Sequence, residues 1–234
     1  MSLELGGHAP LIVFEDADVE QAVEGAMIAK FRNTGQSCIA TNRIYVHRDV
    51  YDRFLEQFVA KARALSVGDG LEAGVEIGPL VDEAACQDAL AHIDDAVRQG
   101  AKILCGGGRS PGRQGFFLEP TVLSDVPNSA LCLSEETFAP VAPVVGFSDE
   151  RQVLQLANDT RFGLAAYFFT NDLKRAWRVA EVLEAGTVGV NDAVPATSQC
   201  PFGGMKQSGL GRELGSEGLD AYLETKHVSF AGIE

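Results

Sequence analysis

The sequence predicts an α/β protein built on a layered, mostly parallel sheet flanked by helices. Strand-length apolar segments and segments with helical spacing alternate along nearly the whole chain. The connections between them are short, and neither an internal repeat nor a linker divides them. With 234 residues, 46% hydrophobic and 22% charged, the chain is large enough to bury a substantial core.

The first half of the chain predicts two strand–helix units. Residues 10–14 are a short apolar strand. Asp18 suits the N-cap of the helix that follows, with Gln21 at N3 as in a capping box, and that helix should end near Phe31. A second apolar strand and a strongly amphipathic helix follow at residues 43–47 and 50–65.

The second half continues the alternation. Residues 83–98 have helical spacing, and Gly100 suits the C′ position. Further strands are predicted at 102–105, 121–123, 141–147, 164–170 and 187–190, and further helices at 150–158 and 173–183.

The C-terminal part has a different character. Residues 202–213 contain too many glycines for regular structure, and these glycines suit backbone positions with positive φ or close chain approach. A short helix is predicted at 215–222. Residues 224–230 alternate like an edge strand, which is a place for pairing with a partner.

The charge and cysteine content exclude several classes of function. Nineteen basic and 33 acidic residues give a net charge of −14, which disfavours nucleic acid and anionic membranes as partners. The five cysteines are scattered without disulfide or zinc-ligand spacing, so no metal is expected. No apolar segment resembles a signal peptide or a membrane span. We therefore expect a cytoplasmic protein.

Cys38 is the candidate nucleophile. It follows a predicted helix in a loop of small and polar residues, where exposure, backbone N–H groups and a nearby helix terminus would favour the thiolate. The alternative is that Cys38 is an ordinary buried cysteine, as most loop cysteines are.

Glu4 is the candidate general base. It stands among apolar residues and glycines, where loss of solvation would raise the pKa of its carboxyl toward the range useful to a base. The alternative is a solvated carboxylate near the chain terminus.

Taken together, these segments and several later motifs resemble the aldehyde dehydrogenase superfamily. Leu-Glu-Leu-Gly-Gly around Glu4 precedes Phe-x-Asn-x-Gly-Gln-x-Cys, which ends at Cys38. The later landmarks occur in the family's order, at residues 135–141, 158–164, 186–191 and 201–213. The resemblance therefore covers the whole chain.

The resemblance implies a mechanism and a set of residue roles. Cys38 would attack an aldehyde, a hydride would pass to NAD or NADP, and Glu4 would activate the water that hydrolyses the thioacyl-enzyme. The Cys38 backbone N–H would supply half of an oxyanion hole. Glu136 would hold the ribose on the nicotinamide side and Phe138 would pack near the ring, the alternatives being a surface acid and a core aromatic.

The substrate is predicted to be succinate semialdehyde. Arg32 could clamp a distal carboxylate, and its surroundings are similar to succinate-semialdehyde dehydrogenases. Phe202 resembles the aromatic residue of the substrate pocket. Ala196 replaces a serine that these enzymes usually use for the carboxylate, with Thr197 and Ser198 close enough in sequence to compensate.

Two further departures concern neighbours of the site. Ala40 stands where some of these enzymes have a second cysteine that can pair with the nucleophile, so that redox switch is not expected. Ala139 replaces the usual glycine of the segment beside the cofactor contact, which restricts φ there.

The resemblance also predicts domains and partners. Residues 1–212 would form the catalytic domain and 213–234 the C-terminal helix and oligomerisation strand of a homo-dimer or tetramer. The family's N-terminal cofactor-binding domain is expected to be absent, so this chain alone should bind neither NAD nor NADP. Three interpretations stay open: half of a dehydrogenase, a thiol esterase that needs no cofactor, or a non-catalytic dimerising module.

Overall fold

A seven-stranded sheet forms the centre of the protein. The computed structural model describes residues 1–232. The strands are β1 (Leu3–Glu4), β2 (Ala9–Val13), β3 (Thr41–His47), β4 (Lys102–Cys105), β5 (Thr121–Ser124), β6 (Val141–Phe147), β7 (Phe162–Gly163), β8 (Ala165–Phe169), β9 (Thr187–Val190), β10 (Met205–Lys206) and β11 (Gly209–Leu210). The α-helices are α1 (Val19–Phe31), α2 (Arg48–Ala64), α3 (Glu83–Arg98), α4 (Glu150–Asn158) and α5 (Leu173–Val182).

The order of the central sheet is β4-β5-β6-β3-β2-β8-β9. All its neighbouring strands are parallel except β4 and β5, which confirms the predicted fold class. Helices cover the faces of a parallel sheet, so its inner strands bury both faces and need continuous apolar sequence. The five residues of β2 and the first six of β3 are accordingly buried.

Helix α1 lies in the core directly before the candidate nucleophile. Its N-cap forms as predicted, because the Asp18 carboxylate accepts hydrogen bonds from the N–H groups of Glu20 and Gln21. The Gln21 side chain does not complete a capping box and instead donates to the carbonyl of Asn191. At the other end, Phe31 stacks on Phe58 of α2 at 5.9 Å between ring centroids, which packs the last turn of α1 against α2.

The glycine-rich segment contains more regular structure than predicted. Strand β10 pairs with β7, and β11 pairs with β1, the strand that carries Glu4. The expectation of no regular structure is wrong, since even short glycine-containing segments satisfy backbone groups by pairing across the fold. Gly209 has φ +141° and approaches the Leu3 carbonyl so closely that a Cβ would lie 2.0 Å from its oxygen.

The C-terminal segment differs from its predicted structure. Residues 217–222 form a short 3-10 helix, whereas residues 224–230 are exposed and form no strand. A strand needs a hydrogen-bonding neighbour, and no described part of the chain supplies one there. The proposed pairing with a second copy therefore stays a prediction.

Hydrogen bonds cross the predicted boundary between residues 212 and 213. Phe202 and Glu213 exchange backbone hydrogen bonds of 2.7 Å, and the Gly215 N–H donates to the Ser198 carbonyl at 3.1 Å. The division into two domains stays a prediction. Within residues 1–232, the helices are all too short or too polar to cross a bilayer.

Candidate active site

The loop that carries Cys38 begins with an unusual backbone turn. After α1, a 3-10 turn spans Arg32–Gly35, and two of its residues, Asn33 and Thr34, have left-handed φ values of +53° and +60°. Gly35 continues at +74°, and a Cβ there would lie 2.4 Å from the Ala139 carbonyl oxygen. The position therefore needs glycine for its conformation and for its close contact. This turn reverses the chain between the buried helix and the cysteine.

Side chains of the same loop bind it to a neighbouring segment. The Thr34 hydroxyl accepts a hydrogen bond from the Gly78 N–H at 3.1 Å. Gln36 uses both ends of its amide, since Oε1 accepts from the Val81 N–H at 2.9 Å and Nε2 donates to the Pro79 carbonyl at 3.3 Å. These hydrogen bonds offset the conformational free energy that the left-handed residues cost, and they hold the loop in one place.

Cys38 is half-buried, and its thiol is less acidic than the sequence predicted. Burial raises the pKa of the Cys38 thiol, and the negative charges of Glu136 and Glu4 raise it further. The nearby backbone N–H groups of Cys38 and Ile39 lower the pKa but do not prevail. The expectation of a favoured thiolate is therefore wrong, because it left out burial and two acidic neighbours.

Two adjacent glycines bring Glu136 and Cys38 together. The Gly7 N–H donates a hydrogen bond to Glu136 Oε1 at 3.0 Å. A Cβ on Gly7 would lie 2.0 Å from the Cys38 carbonyl oxygen, and a Cβ on Gly6 would lie 2.7 Å from Glu136 Oε2. Gly7 therefore has room only for hydrogen, because a backbone atom obstructs it, whereas a side chain at Gly6 would displace the Glu136 carboxylate. Burial raises the pKa of the Glu136 carboxyl, against the hydrogen bond from Gly7.

Glu4 is not a solvated terminal carboxylate. In the described part of the chain, both of its carboxylate oxygens are buried and lack a hydrogen-bond partner. Burial raises the pKa of Glu4, as predicted; repulsion by Glu213 adds to the effect and the Arg212 charge opposes it. A desolvated carboxylate that is near enough to affect the Cys38 thiol is suited to accept a proton.

A cavity of about 460 Å³ opens beside the cysteine loop. Arg32 lies on its wall, and so does Ala196, the predicted replacement for serine. Tyr167 also lines the cavity, and its hydroxyl donates a hydrogen bond to the carbonyl of Ile39 at 2.9 Å. The other lining residues are Ile28, Ala29, Asn33, Gln36, Ser37, Ile39, Ala40, Ala193 and Val194. The cavity thus joins the predicted carboxylate contact to both neighbours of Cys38.

The structure places the remaining predicted site residues less closely together. Phe138 is 42% exposed in a turn with φ +43°, next to Glu136. Phe202 is buried, whereas Thr197 and Ser198 are exposed, and these three do not line the cavity found in residues 1–232. Their roles in substrate binding stay predictions. The described residues also hold no cluster of three or more metal-ligating side chains.

Tyr167 and Gly7 are site residues that sequence reasoning missed. Tyr167 belongs to an apolar strand, and no local signal distinguishes it from a core tyrosine. Burial raises the pKa of its hydroxyl, which keeps it a neutral donor. Gly7 was part of a recognised motif, and the pair of glycines after an acidic residue could have indicated close backbone approach.

Residues 1–228 match the family model described as the aldehyde dehydrogenase family. The chain belongs to the aldehyde dehydrogenase family. The match covers almost the whole chain, so the resemblance seen in the sequence is confirmed. Cys38 and Glu4 both lie inside the matched region.

The relatives of this aldehyde dehydrogenase chain include enzymes named for semialdehydes. A glutarate-semialdehyde dehydrogenase of Pseudomonas aeruginosa is 52% identical over the whole chain and 48% of its own length. The NADP(+) succinate-semialdehyde dehydrogenase GabD of Escherichia coli is 52% identical over 97% of the chain and 47% of its own length. A 3-sulfolactaldehyde dehydrogenase of Pseudomonas putida is 51% identical over the whole chain and 48% of its own.

The aldehyde dehydrogenase chain also matches solved structures. A succinate-semialdehyde dehydrogenase from Burkholderia pseudomallei has a TM-score of 0.92 and 50% identity, covering 94% of this chain and 45% of that one. An Escherichia coli NADP-dependent enzyme has a TM-score of 0.94 and 53% identity, covering 95% and 46%. The chain thus spans about half the length of the relatives that it matches.

Proposed function

We propose that this chain is the catalytic portion of an NAD(P)-dependent aldehyde dehydrogenase that oxidises succinate semialdehyde or a similar aldehyde with a distal acid group. One observation carries the proposal. The Glu4 carboxylate, which is buried and has no hydrogen-bond partner among residues 1–232, lies near enough to influence the Cys38 thiol. The cavity that reaches both neighbours of that thiol is lined in part by Arg32.

Cys38 is the nucleophile in this proposal. Its thiolate adds to the aldehyde carbon, and its own N–H stabilises the oxygen anion of the thiohemiacetal. Loss of the aldehyde hydrogen as hydride leaves a thioester on Cys38. Glu4 then takes a proton from water, the hydroxide adds to the thioester, and the carboxylic acid leaves as the Cys38 thiolate returns.

The residues around Glu136 fit one end of a nicotinamide cofactor. A bound cofactor would supply the hydride acceptor for the oxidation. The Glu136 carboxylate is held by the Gly7 N–H, in a cradle that a Cβ on Gly6 would fill, and a carboxylate can accept hydrogen bonds from a ribose diol. Phe138 offers an exposed ring beside it. We expect the rest of the cofactor to need the portion of the relatives that this chain does not match.

Arg32 is the proposed contact to the distal acid group of the substrate. Arg32 lines the cavity, and a guanidinium binds a carboxylate or sulfonate by paired N–H donors. The names of the relatives include two dicarboxylic semialdehydes and a sulfonated aldehyde. Ala196 supplies no hydroxyl at this cavity, so the acid group depends more heavily on Arg32.

An esterase activity without cofactor is the second candidate function. Acylation of Cys38 by an activated ester needs a thiolate, N–H donors and a water-activating base, and no hydride acceptor. The backbone N–H groups of Cys38 and Ile39 lie near enough to the thiol to lower its pKa, and the Glu4 charge also reaches it. This activity should be lost in Cys38→Ala and should not respond to NAD.

The proposal is tested with a GabD hybrid, in which this chain replaces the matching segment of Escherichia coli GabD. Reduced nicotinamide formed from succinate semialdehyde is measured for the hybrid, for its Cys38→Ala variant and for the chain alone. We expect turnover in the hybrid only. A folded hybrid without turnover, or turnover that survives Cys38→Ala, would overturn the proposed function.

A further inference from the structure

Lys30 is a lysine that is completely buried and has no carboxylate partner in the described part of the chain. It lies in the last turn of α1 and has no exposed surface. Its Nζ is 3.4 Å from Asn42 Oδ1 and 3.4 Å from Thr137 Oγ1. Within residues 1–232, no carboxylate oxygen lies within ion-pair distance of this ammonium, and the lysines that form ion pairs are surface residues. A buried lysine so placed requires a reason.

The two acceptors of Lys30 connect the chain after the nucleophile to the turn that bears Glu136. Asn42 donates through Nδ2 to the carbonyl of Ala40 at 3.3 Å. Its Oδ1 accepts from both the hydroxyl and the N–H of Thr137. Since Thr137 follows Glu136, whose carboxylate holds the Gly7 N–H, the ammonium of Lys30 stands where these segments meet.

Glu136 is the acidic group whose charge acts on Lys30 near neutral pH. Burial lowers the pKa of Lys30 to about 7, whereas a Cys132 thiolate or a Glu136 carboxylate would raise it. Burial also raises the pKa of the Cys132 thiol to about 12 and lowers that of His8 to about 3, so both are neutral near pH 7. The Lys30 charge in turn lowers the pKa of Glu136.

We propose that Lys30 is a positioning residue of the candidate active site: through Asn42 and Thr137 its ammonium fixes the Glu136 turn against the chain that follows Cys38, and its charge acts on Glu136 from beyond ion-pair distance. Complete burial of Lys30 excludes direct contact with a substrate. The effect reaches the nucleophile because the Glu136 charge disfavours the Cys38 thiolate. The part that concerns cofactor binding rests on the proposed function.

A double-mutant cycle on thiol reactivity tests this inference without any cofactor. Alkylation of Cys38 by iodoacetamide is followed by peptide mass spectrometry in the 234-residue chain and in Lys30→Met, Glu136→Gln and the double variant. Lys30→Met removes the charge that screens Glu136, so alkylation should slow about threefold, which corresponds to about half a pKa unit of the thiol. In the Glu136→Gln background the same change should have no effect.

The pH dependence separates this role from a merely structural one. Lys30 is protonated below its pKa of about 7, so the difference between the wild type and Lys30→Met should be present below pH 7 and fade above it. Equal slowing with and without the Glu136→Gln change, or a difference that does not vary with pH, would overturn the inference. Lys102→Met, which removes only a surface ion pair with Asp125, is the control and should leave alkylation unchanged.

A second variant keeps the test decisive if Lys30→Met does not fold. Lys30→Gln retains an N–H donor toward Thr137 and Asn42 but carries no charge, and it should slow alkylation as Lys30→Met does. Wild-type reactivity in a folded Lys30→Gln chain would overturn the role of the charge.

The GabD hybrid then shows whether the effect reaches the cofactor. There Lys30→Met should raise KM for the cofactor about threefold while KM for the aldehyde stays constant. If the hybrid is inactive but the double-mutant cycle on Cys38 alkylation gives the expected result, only the proposed function is contradicted. An active hybrid without that cycle would count against the role of Lys30 alone.

Discussion

The N–H of Gly7 donates a 3.0 Å hydrogen bond to Glu136 Oε1, across 129 positions of the chain. The α-carbon of the same glycine packs against the carbonyl of Cys38 so closely that a side chain does not fit. One residue without a side chain therefore sets the spacing between the candidate nucleophile and the candidate cofactor contact. Neither neighbour could hold its position if this backbone were displaced.

Gly7→Ala should disrupt this arrangement. The added Cβ would lie 2.0 Å from a backbone oxygen, which cannot rotate away as a flexible side chain can. We expect the free energy of unfolding to fall by about 1–3 kcal/mol, as in other overpacked sites, and turnover of the GabD hybrid to fall with it. Urea denaturation and the nicotinamide assay measure the two effects.

Gly70→Ala is the matched control for Gly7→Ala. A Cβ on Gly70 would meet no atom within 4 Å, so the same chemical change should leave stability and turnover nearly unaltered or raise stability by a few tenths of a kcal/mol. A Gly7→Ala protein as stable and active as this control would contradict the proposed role of the close contact.

The sequence was sufficient to predict the five α-helices and the seven strands of the central sheet because their signals are local. The period of the apolar residues and the Asp18 cap located α1, and the motifs around Glu4 and Cys38 indicated the reacting pair. Contacts between distant segments could not be predicted in this way. The raised pKa of the Cys38 thiol depends in part on Glu136, almost a hundred positions away in the sequence. Thr137, one of the two buried acceptors of Lys30, is similarly distant from that lysine in the sequence.

Arg32→Gln should impair recognition of acidic aldehydes selectively. A hydrogen bond to a charged group contributes about 1.5–3 kcal/mol, so KM for succinate semialdehyde in the GabD hybrid should rise by about 10-fold to 150-fold. KM for butanal, which has no distal acid, should stay the same. Arg53→Gln, a change at an exposed position of α2, serves as the control. An equal rise of KM for both aldehydes would contradict a carboxylate contact.

Glu4→Gln should slow hydrolysis of the thioacyl-enzyme by about 100-fold or more, with less effect on acylation of Cys38. A base must be ionised, so hydrolysis by the wild type should rise with pH through the raised pKa of Glu4, and the variant should lack that rise. Single-turnover measurements over a range of pH separate the two steps. Rapid hydrolysis in Glu4→Gln would show that another group activates the water.

The carboxyl of Glu4 should make the folded protein less stable at neutral pH. The pKa of Glu4 is higher in the folded chain than the ordinary value of 4.5. The protonated carboxyl therefore stabilises the folded state below pH 4.5, and this stabilisation is lost as the pH rises through the pKa of the folded chain. Glu4→Gln should therefore be more stable than the wild type at neutral pH, and the difference should vanish in acid. Glu72→Gln, at an exposed loop position, should show neither effect.

Residues 224–230 should assemble copies of the chain. Apolar residues alternate with polar ones in this segment, and two of them, Val228 and Phe230, are 56% and 75% exposed. An extended segment with unpaired backbone groups adds readily to the sheet of another chain. Phe230→Glu should convert the oligomer to monomers in sedimentation experiments, because a charge would be buried on pairing. Leu71→Glu, at a loop position that is 95% exposed, should leave the oligomer intact. A wild-type chain that sediments as a monomer, or an oligomer that survives Phe230→Glu, would show that this segment does not join subunits.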